Sequence, residues 1–217
     1  NQISTFTITD VTALDQLTCQ NNQIMELNIA GAPITNLDIS NNPLNNLRVH
    51  IMTNEIVQVA IIMGSDSDLP VVEASFSILD DFGVKYTKNV MSAHRTPHDV
   101  MELIKTSEEN GCKVFIAAAG MAAHLAGAVA AHSTKPVIGI PIESGGMGGI
   151  DSLLSTAMMP PGVPVATVAV GKSGAKNSAI LAVQFLATSD EDLAQKLVEY
   201  KQNMRSEVLE KDKKLNS

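Results

Sequence analysis

The sequence predicts an α/β fold: a doubly wound, parallel five-stranded sheet with a long C-terminal helix, preceded by a short repetitive segment. Three observations carry this. From residue 59 onward, apolar runs alternate with helix-period patterns, the signature of βαβ units with right-handed crossovers. The runs are continuously apolar, as in Val59-Ala60-Ile61-Ile62-Met63, which marks strands buried on both faces. Residues 1–51 instead repeat a short apolar pattern every ten residues, the mark of a solenoid.

Composition narrows the function. Of 217 residues, 45% are hydrophobic, 3% are aromatic and none is Trp. The core must therefore be built from Ala, Val, Ile, Leu and Met. The formal net charge is −8 and no long Lys/Arg run occurs. A nucleic-acid backbone is thus no partner, and neither is an anionic membrane surface. No run of about 18 apolar residues exists to span a membrane, and no signal peptide is visible. The chain starts on Asn, as a processed, trimmed or fused product would. Cys19 and Cys112 have neither disulfide-framework nor metal-ligand spacing. The expectation is a reduced, cytoplasmic protein without metal or cofactor.

The first segment holds nine Asn. Leu14, Leu17 and Cys19 recur as Ile24, Leu27 and Ile29, then Ile34, Leu37 and Ile39, then Leu44, Leu47 and Val49. Asn21-Asn22 and Asn41-Asn42 occupy intervening turns. The pattern resembles leucine-rich repeats with short, strand-rich turns, each unit giving a short strand and the asparagines tolerating tight turns. Such a segment is either a protein-binding arm or a fragment without function here. The absence of visible capping repeats favours the fragment. Met52 reads as a natural start, so the domains are 1–51 and 52–217, with residues 53–58 as a polar linker.

The elements of the second domain follow in order. Val59–Met63 is a strand ended by Gly64. Asp68 suits the cap of a helix running to about residue 82, with Val72, Phe76 and Leu79 inward and Gly83 as its stop. Residues 85–91 read as a strand, and 97–110 as a helix with Val100, Leu103 and Ile104 inward. Residues 113–119 form a third strand and 122–132 an alanine-rich helix. Residues 136–140 are a fourth strand, 150–159 a helix, 163–170 a fifth strand and 175–187 a small-residue helix. Residues 191–215 form the long charged helix, placed outside the layers or on a neighbouring subunit. Five such strands suggest flavodoxin-like order.

In open parallel sheets ligands bind beyond the carboxyl ends of the strands, near the switch in strand order. Three loops meet there. Gly64-Ser65-Asp66-Ser67-Asp68 offers close backbone approach and two hydroxyls for a phosphate. Asp68 either caps its helix or accepts from sugar hydroxyls. Ser92-Ala93-His94-Arg95-Thr96-Pro97 sets an imidazole suited to proton transfer beside a guanidinium suited to phosphate. Its Thr-Pro starts the next helix. Ala117-Ala118-Ala119-Gly120-Met121-Ala122-Ala123-His124 leaves room for a compact, nearly apolar pocket. On spacing alone, His124 reads as a structural histidine bonded to backbone, one turn into its helix. His98 faces solvent. The glycine-rich residues 143–149 are a lid or a permissive connection. Lys172 to Asn177 begins a helix and has at most a weak binding role.

These motifs, with Ile150-Asp151-Ser152-Leu153-Leu154-Ser155 and the stretch 159–182, come in an order and spacing that resemble the class I N5-carboxyaminoimidazole ribonucleotide mutases of purine synthesis. The likeness runs from about Val59 to the C-terminal helix. Arg95 separates this class from the related carboxylases, which carry Lys there. Ala126 departs from the Pro that the family usually has, which removes rigidity but no reacting group.

The resemblance implies that Ser65, Ser67 and Arg95 hold a 5′-phosphate, Asp68 takes the ribose hydroxyls and Ser92 lines the site. It implies His94 as general acid and base. Ala119, Gly120, Ala122 and His124 would close over the imidazole ring and a transient CO2. It implies a homo-octamer acting on a small nucleotide. A flavin-binding electron carrier is the competing reading, although aromatics to stack a flavin are scarce. A repeat-based interaction protein carrying the α/β part as passenger is the third.

Overall fold

The computed structural model describes residues 5–8, 16–30, 36–43, 46–50 and 57–216. The chain divides into two compact units, Asn1–Ile56 and Val57–Ser217.

In the first unit, short strands pair in parallel. Thr5–Ile8 lies beside Glu26–Ala30, which lies beside Asn46–His50. Gln16–Thr18 pairs with Asn36–Asp38. The partners are Glu26 with Asn46 and Gln16 with Asn36, so the ten-residue sequence period resolves into a twenty-residue coil. Successive repeats supply strands to different sheets. Ile24 and Leu27 are buried, with Leu17, Cys19, Leu37 and Ile39 packed against them. Asn21 and Asn41 both take φ 58°, a left-handed conformation Asn tolerates better than most residues. The Asn41 amide donates to Asn21 Oδ1 at 2.8 Å. Asn42 Nδ2 donates to the Cys19 and Ile39 carbonyls, both at 2.9 Å, and its Oδ1 accepts from Ile24 N–H at 3.1 Å. Leu14, Ile34, Leu44, Met52 and residues 53–56 lie outside the described residues.

In the second unit the strands are β1 (Val59–Met63), β2 (Tyr86–Val90), β3 (Val114–Gly120), β4 (Val137–Ile142) and β5 (Ala166–Thr167). All pair in parallel, in the order β2-β1-β3-β4-β5. This is the flavodoxin-like order, with its switch between β1 and β3. The helices are α1 (Leu69–Phe82), α2 (Pro97–Glu109), α3 (Leu125–His132), α4 (Ile150–Ala157), α5 (Lys172–Ala187) and α6 (Glu191–Leu215).

Strand periodicity sorts the core into two layers. Val59, Ile61 and Met63 of β1 join Ile116, Ile138 and Ile140 under α1 and α5. Ala60 and Ile62 join Phe115 and Ala117 under Val100 and Ile104 of α2 and Leu125 and Val129 of α3. Small residues let α5 approach closely: Ser75 Oγ of α1 donates to the Ala175 carbonyl at 3.0 Å, and a Cβ at Gly174 would stand 1.6 Å from Ala169 O. Lys196 Nζ docks α6 on α1 by donating to Phe82 O at 2.9 Å. Leu193, Leu197 and Tyr200 of α6 pack on the first core layer, while residues 201–216 are exposed throughout. No helix among the described residues is long and apolar enough to cross a membrane.

Several boundaries differ from those predicted. The strand predicted over 163–170 shrinks to two residues, and Pro164 supplies no N–H at its start. Isolated bonds from Val168 N to Gly139 O and Gly171 N to Pro141 O follow it. Helix α4 stops at Ala157 rather than 159, since the residue before a proline avoids the helical region. Helix α5 begins at Lys172, three residues earlier than predicted. Helix α3 starts at Leu125 rather than 122, because Met121 and Ala123 have φ of 54° and 30° and cannot be helical.

Candidate functional site

The loops after β1, β2 and β3 surround a cavity of about 580 Å³. The first loop folds on itself. Ser65 Oγ accepts from Ser67 N–H at 3.3 Å and from Ser67 Oγ at 2.9 Å. Asp68 Oδ2 accepts from Ser65 N–H at 3.1 Å, completing a capping box around the 3₁₀ turn Asp66–Asp68. Asp68 therefore does not cap α1 through its side chain. Its acceptor is spent one turn earlier, and Pro70 removes one donor it would have served. The Asp68 residue is 6% exposed. Burial pushes its carboxyl above the ordinary aspartate value, against the opposing bonds from Ser65 N–H and the Ser67 side chain.

The second loop is a closed turn. Ser92 Oγ accepts from the backbone N–H of His94 at 3.3 Å and of Arg95 at 3.2 Å. Thr96 Oγ1 accepts from Ser92 N–H at 2.9 Å and donates to Ser92 O at 3.2 Å. Thr96 holds the N-cap position of α2, yet its hydroxyl serves this turn and not the helix. Ser92 thus fixes the backbone that presents His94 and Arg95. Arg95 Nη2 crosses to the first loop and donates to Gly64 O at 3.0 Å.

The third loop brings His124 to His94. His94 Nε2 and His124 Nδ1 lie 2.6 Å apart, with ring centroids 4.8 Å apart and planes at 77°. One ring nitrogen donates and the other accepts, so a hydrogen sits between the two imidazoles. His124 is the N-cap residue of α3 and its ring meets His94. Both parts of the expectation for this residue, a backbone-bonded ring one turn inside the helix, are corrected. The left-handed Met121 and Ala123 make the turn that delivers it, at a strain of about 1–3 kcal/mol each.

Every predicted site residue borders this cavity: Ser65, Ser67, Asp68, Ser92, His94, Arg95, Ala119, Gly120, Ala122 and His124. His98 is exposed on α2 and outside the lining, as is Lys172. Sequence reasoning missed Ser144, which lines the cavity from the loop after β4. The signal was available: β4 pairs with β3 so that Ile142 faces Gly120, which carries a fourth loop to the same edge. A Cβ on Gly120 would stand 1.9 Å from Ser144 Oγ.

The cavity combines three chemistries. Hydroxyls and a guanidinium suit an oxyanion. A hydrogen-bonded histidine pair suits proton transfer. A wall of Ala and Gly suits a small apolar group. No Phe or Tyr lines it, which removes the stacking surface a flavin carrier needs.

A family model described as AIR carboxylase matches residues 58–207. The N5-carboxyaminoimidazole ribonucleotide mutase of Bacillus subtilis is 52% identical over 157 residues, covering 72% of this chain and 97% of that protein. The mutase of Thermotoga maritima is 50% identical, covering 73% and 91%. That of Escherichia coli is 45% identical, covering 72% and 93%. Among solved structures, Treponema denticola PurE superposes with a TM-score of 0.68 at 30% identity, over 74% of this chain and 99% of that one.

Proposed function

Because the chain belongs to the AIR carboxylase family, we propose that its cavity carries out the mutase reaction for which its relatives are named. The protein is an isomerase of purine biosynthesis. It converts N5-carboxyaminoimidazole ribonucleotide to 4-carboxy-5-aminoimidazole ribonucleotide.

The residues carry the chemistry as follows. Ser65, Ser67 and Arg95 hold the 5′-phosphate, and Asp68 accepts from the ribose hydroxyls. The bond between the exocyclic nitrogen and its carboxylate breaks, a proton from His94 takes its place on nitrogen, and CO2 is released. Ala119, Gly120 and Ala122 confine that CO2 without solvating it, keeping its effective concentration high. C4 of the imidazole then attacks the CO2 carbon, and His94 recovers a proton as C4–H is lost. Atoms and charge balance over the cycle, as an isomerisation requires. His124 acts through His94, orienting its ring and choosing which nitrogen bears the hydrogen.

The observation that carries this reading is the 2.6 Å contact between His94 and His124 against a wall of small residues. The test uses substrate labelled with 13C in the migrating carboxylate, in medium holding unlabelled bicarbonate and no ATP. Label retained at C4 supports the trapped-CO2 route. Product carrying medium carbon overturns it.

The assembly is a homo-octamer. Ile150 and Leu154 of α4 and Met158 just beyond its end are 58%, 54% and 77% exposed, an apolar patch that favours cover by another subunit. The enzyme works in the cytoplasm, in keeping with free Cys19 and Cys112. Residues 1–51 are a leucine-rich-repeat-like addition, and residues 52–217 are the mutase domain. Deletion of 1–51 leaves turnover unchanged, and native mass measurement of both chains reads the assembly.

A further inference from the structure

We infer that the Ser144 hydroxyl binds the migrating carboxylate, an assignment that rests on the mutase reading. Ser144 follows β4, and its Oγ occupies the space where a side chain on residue 120 would begin. Gly120 is thus what admits this hydroxyl to the cavity. Ser144 is half-buried, and its Oγ has no hydrogen-bond partner among the described residues. With no protein partner of its own, this hydroxyl is free to donate to a ligand acceptor in the cavity.

Position selects which part of the nucleotide it meets. The other hydroxyls and the guanidinium that line the cavity belong to the loops after β1 and β2. On the side of the third loop, the lining apart from His124 consists of Ala119, Gly120, Met121, Ala122, Ala123 and Leu125, which offer no side-chain donor. Ser144 is the one side-chain hydroxyl of that wall among the described residues. CO2 itself needs no donor. The carboxylate before and after its migration does, and a rotatable neutral hydroxyl can follow it from nitrogen to C4.

The test is calorimetric titration of the full chain with two nucleotides. One is 4-carboxy-5-aminoimidazole ribonucleotide and the other is its parent lacking the carboxylate. Ser144→Ala weakens binding of the carboxylated nucleotide by about 10- to 100-fold, the loss expected for a bond to a charged acceptor. It leaves binding of the parent nucleotide within about twofold of wild type. Equal weakening of both, or of neither, overturns the assignment while the mutase reading stands. A wild-type chain that binds neither nucleotide overturns both.

Discussion

Gly120→Ala tests the geometry of the site through stability. The new Cβ would meet Ser144 Oγ at 1.9 Å, Ser144 Cβ at 3.0 Å and the Ile142 carbonyl at 3.2 Å. Contacts below 3.0 Å are essentially never seen for a side-chain carbon, so the hydroxyl must retreat by at least 1.1 Å. A turn of χ1 by about 120° to another staggered well achieves this at little cost. It does not relieve the other two contacts, which involve a Cβ and a strand carbonyl. The residual strain is that of overpacking, about 2 kcal/mol. For a domain of this size that lowers Tm on the order of 4–8 °C. Gly64→Ala is the control, because its Cβ meets Ala118 O and Ala119 Cβ at 3.6 Å, ordinary contact, and its Tm stays within about 2 °C of wild type. Thermal melting followed by circular dichroism reads both variants. A Gly120→Ala protein that melts with wild type, or a Gly64→Ala protein that falls as far, refutes the account of how β3 and the loop after β4 meet.

Three further outcomes are expected. His94→Asn lowers turnover by about 10²- to 10⁴-fold, the usual share of a general acid–base group, while calorimetry shows nucleotide binding intact; retained turnover removes His94 from the chemistry. Asp68→Asn raises stability at neutral pH, because burial holds the carboxyl above its ordinary value of 3.8. The sign follows from linkage: the wild-type contribution is fully present below the unfolded value and is lost as pH rises through the raised folded one. The variant's advantage therefore grows with pH across that window, and a pH-independent difference in urea midpoint counts against it. Met121→Gly relieves a left-handed φ of 54° and stabilises by up to about 1 kcal/mol after the entropy cost of glycine; an unchanged or lower midpoint shows that no strain is stored there.

The sheet was legible because its strands are buried on both faces, which leaves uninterrupted runs such as Val59–Met63 and helices with inward residues at fixed spacing. What failed was local. The segment 163–170 is apolar enough to read as a strand, but Pro164 supplies no donor to a ladder. The start of α3 was misplaced because Met121 and Ala123 carry side chains that ordinarily exclude positive φ, so composition gave no warning of the turn. In the first unit the ten-residue period was visible, whereas pairing at twenty residues was not, since periodicity does not say which sheet a strand joins.

The site shows the same division between local pattern and three-dimensional consequence. His94 and Arg95 announce themselves by residue type and by the helix start beside them. His124 does not, because its partner lies thirty residues earlier and only the order β2-β1-β3 brings the two loops together. Ser144 is hidden in a glycine-rich stretch that resembles any connection. Yet the cavity can be recognised on physical grounds that owe nothing to relatives. Its rim holds a carboxyl pushed upward by burial at Asp68 and two side-chain-bearing residues in the left-handed region at Met121 and Ala123. Each opposes folding, and the surrounding layers of Val, Ile, Leu and Ala must offset them. Costs of that kind concentrated on one cavity are what a preorganised site requires: the energy is committed during folding, so that the nucleotide meets donors and a proton carrier already in place.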